Sequence, residues 1–198
     1  LPVQDLAIEG VRRLLDYQDR AYANLYLDRL VRVTKIDDRR DDYLLSREVA
    51  RYLALWMSYE DTIRVADLKV RASRTERVAR DVLVAPKQLM SITDYMHPRL
   101  QEVAETLPVW LGAPLVKWPF LRRALEPFFK QGRHVKTTSL RWYLALRMLS
   151  SMRGMRRTTM RSRDEQRRIE AWLDAICNAR DTALAIEIAL SARLIKGY

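Results

Sequence analysis

The sequence has very little cysteine, histidine and glycine, and the first two shortages exclude whole classes of site. Its single cysteine, Cys177, rules out a disulfide within the chain and an iron–sulfur cluster held by several cysteines. The two histidines, His97 and His134, each lack a second histidine or cysteine at the spacing of metal ligands. We therefore expect no metal site in this chain, and we expect a reducing, cytoplasmic setting.

A long apolar run is also missing. The longest one, residues 107–116, has ten residues and two prolines, so it cannot cross a bilayer. The sequence shows no secretory signal, and it opens on Leu1-Pro2 without a methionine. The missing methionine suggests a fragment of a longer protein and not a native N-terminus.

The composition that remains favours helices. Hydrophobic residues make up 48% of the chain, and glycine occurs only 5 times. We predict a single all-α domain over residues 1–198, built as a bundle of long antiparallel helices. Prolines and aromatic residues concentrate in residues 87–131, which we interpret as an arm that covers the core or offers a docking surface.

Apolar periodicity sets the expected helix bounds. It predicts long helices over residues 5–35, 42–84, 139–153 and 163–195, the second with a break near residues 72–75. Ser162 and Glu165 have the spacing of a capping box for the last helix. The arm should contain short helices over residues 88–96, 98–106 and 119–130.

A ladder of charged residues runs through Tyr59–Arg74. Most of its members recur in steps of four and three, so on one helix they share a stripe, which borders an apolar stripe. Charges that are partly buried must be paired, and we expect Asp67 to face at least one arginine or lysine. A solvated face with weak ion pairs is the alternative. The charged ladder consists of Glu60, Arg64, Asp67, Lys69, Arg71 and Arg74.

The excess positive charge has one location. Residues 117–168 hold 15 lysines and arginines against 3 acidic residues, a net charge of +12, while the whole chain carries +11. This basic segment would attract an acidic protein surface, anionic lipid or nucleic acid. It lacks helix-turn-helix spacing and zinc-finger ligands, so nucleic acid is the less favoured partner. A solvated basic face that binds no partner is the alternative.

A candidate anion site lies inside the basic segment. Arg133, His134, Lys136 and Thr137 precede a predicted helix start, where cations, hydroxyls and exposed backbone N–H groups can bind an anion. Helix capping by Thr138 or Ser139 is the simpler interpretation. Nothing in the chain marks a nucleophile, so its catalytic residues stay unknown.

Four motifs together resemble a known family. They are YQDRAYANLYL at Tyr17–Leu27, YEDTIRVADLKVRASR at Tyr59–Arg74, HVKTTS at His134–Ser139 and ARLIKGY at Ala192–Tyr198. In this order they resemble the helical C-terminal part of the beta-subunit family of indolepyruvate oxidoreductases, within the 2-oxoacid:ferredoxin oxidoreductases.

The resemblance implies a structural or assembly role inside a larger oxidoreductase. It implies that thiamine diphosphate and iron–sulfur clusters belong to the parent complex and not to this chain. Expected partners are another domain of its own subunit and an alpha-type subunit, and a homo-oligomer stays open. Two alternatives remain: a basic nucleic-acid-binding protein and an independent ligand-binding helical domain.

Overall fold

The computed structural model describes residues 2–38, 42–85, 88–96, 100–108, 112–114, 117–129 and 133–195. Over these residues the fold is all-α with a single two-stranded sheet, which confirms the predicted class. The chain divides into two compact units, residues 1–60 with 164–198 and residues 61–163. The segment predicted as an arm, residues 87–131, belongs to the second unit.

The helices are shorter than the sequence predicts. The longest, α9, has 18 residues. In chain order the elements are α1 (Val3–Tyr17), α2 (Arg20–Thr34), α3 (Leu44–Met57), α4 (Thr62–Val70), α5 (Ala72–Asp81), β1 (Thr93–Met96), α6 (Leu100–Thr106), α7 (Pro119–Phe129), β2 (Arg133–Lys136), α8 (Leu140–Ser151), a 3-10 helix (Met152–Thr158), α9 (Met160–Cys177), α10 (Thr182–Ser191) and a second 3-10 turn (Ala192–Leu194).

The first predicted helix, residues 5–35, is two helices. Helix α1 ends at Tyr17, and the backbone of Gln18 leaves the helical region. The carboxylate of Asp19 then accepts a hydrogen bond from the Tyr22 backbone N–H at 2.8 Å and starts α2. An aspartate that can satisfy an exposed N–H group makes a new start favourable inside an apolar pattern.

The second predicted helix, residues 42–84, is three helices. Helix α3 ends at Met57, and Asp61 accepts a hydrogen bond from the Arg64 backbone N–H at 2.6 Å to start α4. The next break falls at Arg71, whose extended backbone separates α4 from α5. The expected break near residues 72–75 is therefore displaced by one residue, and the break at residues 58–61 was missed.

The arm prediction is right for two helices and wrong for one. Helices α6 and α7 lie where short helices were expected. The predicted helix over residues 88–96 is instead strand β1 at its end, which pairs antiparallel with β2 so that Asp94 lies opposite Val135. Ile92, Thr93 and Tyr95 are residues that favour a strand, and this local preference prevails.

The last predicted helix, residues 163–195, also divides. Helix α9 begins at Met160, and the Thr159 hydroxyl accepts the hydrogen bond from the Ser162 backbone N–H at 3.2 Å. The proposed capping box is therefore wrong, because Ser162 already lies inside the helix. Asp181 caps a separate helix, α10, through the Leu184 backbone N–H at 2.8 Å.

The first unit contains the continuous apolar core. Helices α1, α2, α3 and α10 pack around it, together with the part of α9 that belongs to this unit. Trp56 and Trp172 approach to 5.6 Å between ring centroids, and the Trp56 indole N–H donates to Glu165 at 2.8 Å. The large side chains that are fully buried there include Leu14, Tyr17, Tyr26, Leu53, Leu173 and Ile176.

Candidate functional site

A buried ion pair anchors the start of α4 in the second unit. The Arg156 Nε donates to Asp61 Oδ2 at 2.8 Å, and both side chains are at least 95% buried. The other oxygen of the same carboxylate caps α4 through the Arg64 backbone N–H. Asp61 therefore holds a helix terminus and a buried cation at once, which leaves neither oxygen available for chemistry.

The next carboxylate, Asp67, receives two cations. Arg64 Nη1 lies 3.1 Å from Asp67 Oδ2, and Arg71 Nη2 lies 2.5 Å from the same oxygen. Arg71 reaches it from the extended residue between α4 and α5. Asp67 thus faces two arginines, as the sequence predicts.

A third carboxylate connects α4 and α5 to the sheet. Lys69 Nζ and Arg74 Nη2 each lie 3.0 Å from Asp94 Oδ1, and the Thr137 hydroxyl donates to Asp94 Oδ2 at 3.1 Å. Burial raises the pKa of the Asp94 carboxyl, but hydrogen bonding and charge from Lys69, with help from Arg74 and Thr137, hold that pKa below its ordinary value. Asp94 is therefore a fixed anion.

The charged ladder is a set of paired contacts on two helices and not one stripe. Glu60 lies outside it, exposed and in the first unit. The sequence missed Asp61, Asp94 and Arg156. An aspartate followed by a short apolar helix pattern is a cap signal that could have revealed Asp61. Asp94 and Arg156 come from distant segments, and no local signal marks them.

The structure places the candidate anion site on strand β2 and the turn that follows it. Its residues begin on strand β2, so the exposed side chains of His134 and Lys136 alternate with the buried Val135. Thr137 is buried and directs its hydroxyl at the Asp94 carboxylate, which is the wrong partner for a donor to a bound anion. The side chain of Arg133 lies outside the described residues.

A cavity of about 380 Å³ lies in the first unit. Asp37, Asp38 and Asp181 line it. Each carboxylate accepts a hydrogen bond within the fold, Asp37 from the Ser46 hydroxyl at 2.6 Å, Asp38 from the Thr182 hydroxyl at 3.2 Å and Asp181 from the Leu184 N–H. Among the described residues, no group of three or more acidic, histidine or cysteine side chains could hold a metal ion.

The basic segment lies mostly on the surface. Arg141, Arg147 and Arg157 are exposed, whereas Arg156 is buried against Asp61 and Arg161 lies 3.6 Å from Glu105. Exposed cations spread over a surface suit contact with a large anionic surface better than capture of a small ligand.

In the part of the chain that the structure describes, no helix combines the length and the apolar character needed to cross a membrane.

Three comparisons with known proteins bear on the family of the chain. No match is found among curated proteins or among solved structures. A protein-family model, described as a family of unknown function (DUF6537), matches residues 3–198. Because this match covers nearly the whole sequence, the chain belongs to the DUF6537 family.

Proposed function

We propose that this chain is a structural and assembly module of a larger oxidoreductase of the indolepyruvate type, without a catalytic set of its own. The observation that carries the proposal is the pairing of the charged ladder. Asp67 is neutralised by two arginines, and Asp94 by Lys69 and Arg74. Carboxylates held this way brace a fold and do not exchange protons with a substrate.

A general base would need the opposite environment. Catalytic carboxylates are tuned toward the working pH by burial or by a like charge, and they face a cavity. The pKa of Asp94 is shifted downward, away from that range, by the cations around it.

The motif in the first helices supports the same role. Tyr17, Tyr22 and Tyr26 are all buried in the first unit. The Tyr22 hydroxyl donates to the Met57 carbonyl at 2.9 Å, and the Tyr26 hydroxyl to the Ala50 carbonyl at 3.0 Å. This first motif therefore serves packing in the first unit.

The cofactors of such a complex belong elsewhere. A chain with one cysteine cannot supply the ligands of an iron–sulfur cluster, so we assign the clusters and thiamine diphosphate to an alpha-type subunit. The partners would be that subunit and another domain of the same subunit, in the cytoplasm. The residues of this chain contribute fixed surfaces and no reaction step.

The test is reconstitution from the full reading frame. We expect that frame to encode an α/β domain before this one, and its product to co-purify stoichiometrically with an iron–sulfur alpha-type subunit. Asp67→Asn should then lower thermal stability but leave turnover per folded complex unchanged. Lost turnover at unchanged stability would place chemistry at the ladder and contradict the proposal, as would a subunit that never associates.

Nucleic-acid binding is the second candidate, and the exposed arginines of the basic segment favour it. Binding of a mixed-sequence duplex would weaken steeply with salt, because each neutralised phosphate releases counterions. A chain that binds no duplex at about 50 mM salt, where such contacts are strongest, eliminates this candidate.

A further inference from the structure

Helix α8 carries apolar side chains on both its inner and its outer face. On the inner face Leu146 is buried within the second unit. On the outer face Leu140, Leu144 and Met148 follow one another in steps of four, and they are 72%, 55% and 73% exposed. A helix with apolar side chains on two opposite faces is typical of an element with neighbours on both sides. Among the described residues nothing buries the outer side.

Two arginines border this apolar stripe. At 100° per residue, Arg147 lies on one side of the stripe and Arg141 on the other. Both are exposed, and the segment that contains them carries the net charge of +12. We call Leu140, Arg141, Leu144, Arg147 and Met148 the outer face of α8.

We propose that the outer face of α8 docks an acidic amphipathic helix of a protein partner. The stripe extends over eight residue steps, about 12 Å along the axis, which is two turns of a facing helix. Apolar side chains at this spacing pack into the groove of a second helix. Carboxylates on the flanks of that helix would meet Arg141 and Arg147.

The charge pattern favours an acidic helix over a second copy of the chain, nucleic acid or a membrane. A second copy would bring two further arginines against Arg141 and Arg147, and such like-charge contacts oppose association. Nucleic acid would set its phosphates over the apolar stripe without compensation. A membrane is disfavoured because α8 packs into its unit through Leu146, whereas interfacial helices sink about 5–10 Å into the lipid.

This docking surface deepens the proposed assembly role. The identity of the partner rests on that proposed function, whereas the acidic, amphipathic chemistry of the partner rests on the outer face of α8 alone. The probe is a synthetic amphipathic helical peptide whose leucine stripe is bordered by glutamates. A twin peptide carries lysine at each glutamate position. Fluorescence anisotropy of the labelled peptides measures binding to the whole chain.

We expect saturable binding of the glutamate peptide and little binding of the lysine twin. Both Leu144→Ser with Met148→Ser and Arg141→Glu with Arg147→Glu should weaken it about tenfold or more. Leu89→Ser with Phe120→Ser, and Arg77→Glu with Arg80→Glu, are controls matched in exposure or charge, and they should bind like the parent. Circular dichroism checks that each variant is folded.

The proposal is overturned if the lysine twin binds equally, or if the control variants lose as much affinity. It is also overturned if phosphatidylglycerol vesicles or duplex DNA bind with the same sensitivity while the glutamate peptide does not bind. In the reconstituted oxidoreductase, a complex unaffected by the Leu144 and Met148 substitutions defeats this surface alone. Specific peptide binding without any such complex defeats the assembly role alone.

Discussion

The first unit buries a continuous cluster of large apolar side chains, whereas the second unit buries few and pairs charges inside. In the described part of the second unit, the buried apolar residues are Ile63, Ala66, Ala104, Val135 and Leu146. Its interior instead holds the Asp61–Arg156 pair and the contacts of Asp67 and Asp94. A unit built this way depends on geometry more than on buried area, and it leaves apolar side chains such as Leu140 and Met148 on its surface.

The contrast between the two units is tested most strongly by replacing one leucine in each unit with alanine. Leu53 in α3 is fully buried, and Leu144 in α8 is more than half exposed. Leu53→Ala should lower the free energy of unfolding by about 3–4 kcal/mol, because it removes apolar contacts and leaves a cavity. Leu144→Ala should change it by less than about 0.5 kcal/mol. Urea unfolding followed by circular dichroism measures both.

Equal losses from these two substitutions would mean that the outer face of α8 is packed in the free chain. That result would remove the contrast between the units, and with it the basis of the docking proposal. Hydrogen exchange measured by mass spectrometry then shows which of the two units each substitution destabilises. Amides of the first unit should lose protection in Leu53→Ala, since units with separate cores can unfold separately.

The second test removes the charge from the buried pair. Asp61→Asn keeps a side chain that can cap α4 but leaves Arg156 buried without its counter-charge. We expect a loss of about 3 kcal/mol, since an unpaired buried charge is strongly destabilising. The control is Asp164→Asn in the exposed pair with Arg167, where the expected loss is below about 0.5 kcal/mol. A similar effect of both changes would contradict the buried-network interpretation.

How far the sequence predicts this fold depends on the range of the interaction. Helix content, the apolar faces of α1 to α3 and the pairing of Asp67 follow from local periodicity. The breaks at Asp19, Asp61 and Asp181 were missed, because each aspartate caps the start of a new helix inside an unbroken apolar pattern. The sheet and the Asp94 contacts join residues 20 to 43 positions apart in the chain, and no local pattern reports such a pairing.

Gly10 is another residue whose role no local sequence pattern reveals, and it gives the third test. In sequence it looks like a weak point in α1, but a Cβ there would lie 2.6 Å from the Tyr26 hydroxyl oxygen. Tyr26 is fully buried and its hydroxyl donates a hydrogen bond to the Ala50 carbonyl, so the ring cannot easily move. Gly10→Ala should therefore destabilise the first unit by about 1–3 kcal/mol, despite the better helix propensity of alanine.

The matched control for Gly10 lies in the second unit. A Cβ at Gly154 would meet nothing within 4 Å. Gly154→Ala should leave the melting temperature unchanged or raise it slightly, since alanine loses less backbone entropy on folding. If Gly10→Ala were equally harmless by calorimetry, the close packing of α1 against Tyr26 would be wrong.

The smallest expected effect concerns Asp94 and the acid side of the stability profile. Its folded pKa lies below the ordinary value of an aspartate, so the unfolded chain takes up the proton first as the pH falls. The stabilisation is complete above about pH 4, the ordinary range, and is lost as the pH falls through the lower folded pKa. Asp94→Asn should lower the free energy of unfolding by about 1–2 kcal/mol at neutral pH. It should also make the loss of stability on the acid side of the profile, its acid limb, less steep. Urea unfolding at successive pH values measures this, and an acid limb as steep as the parent's would show that Asp94 does not hold α4 and α5 to the sheet.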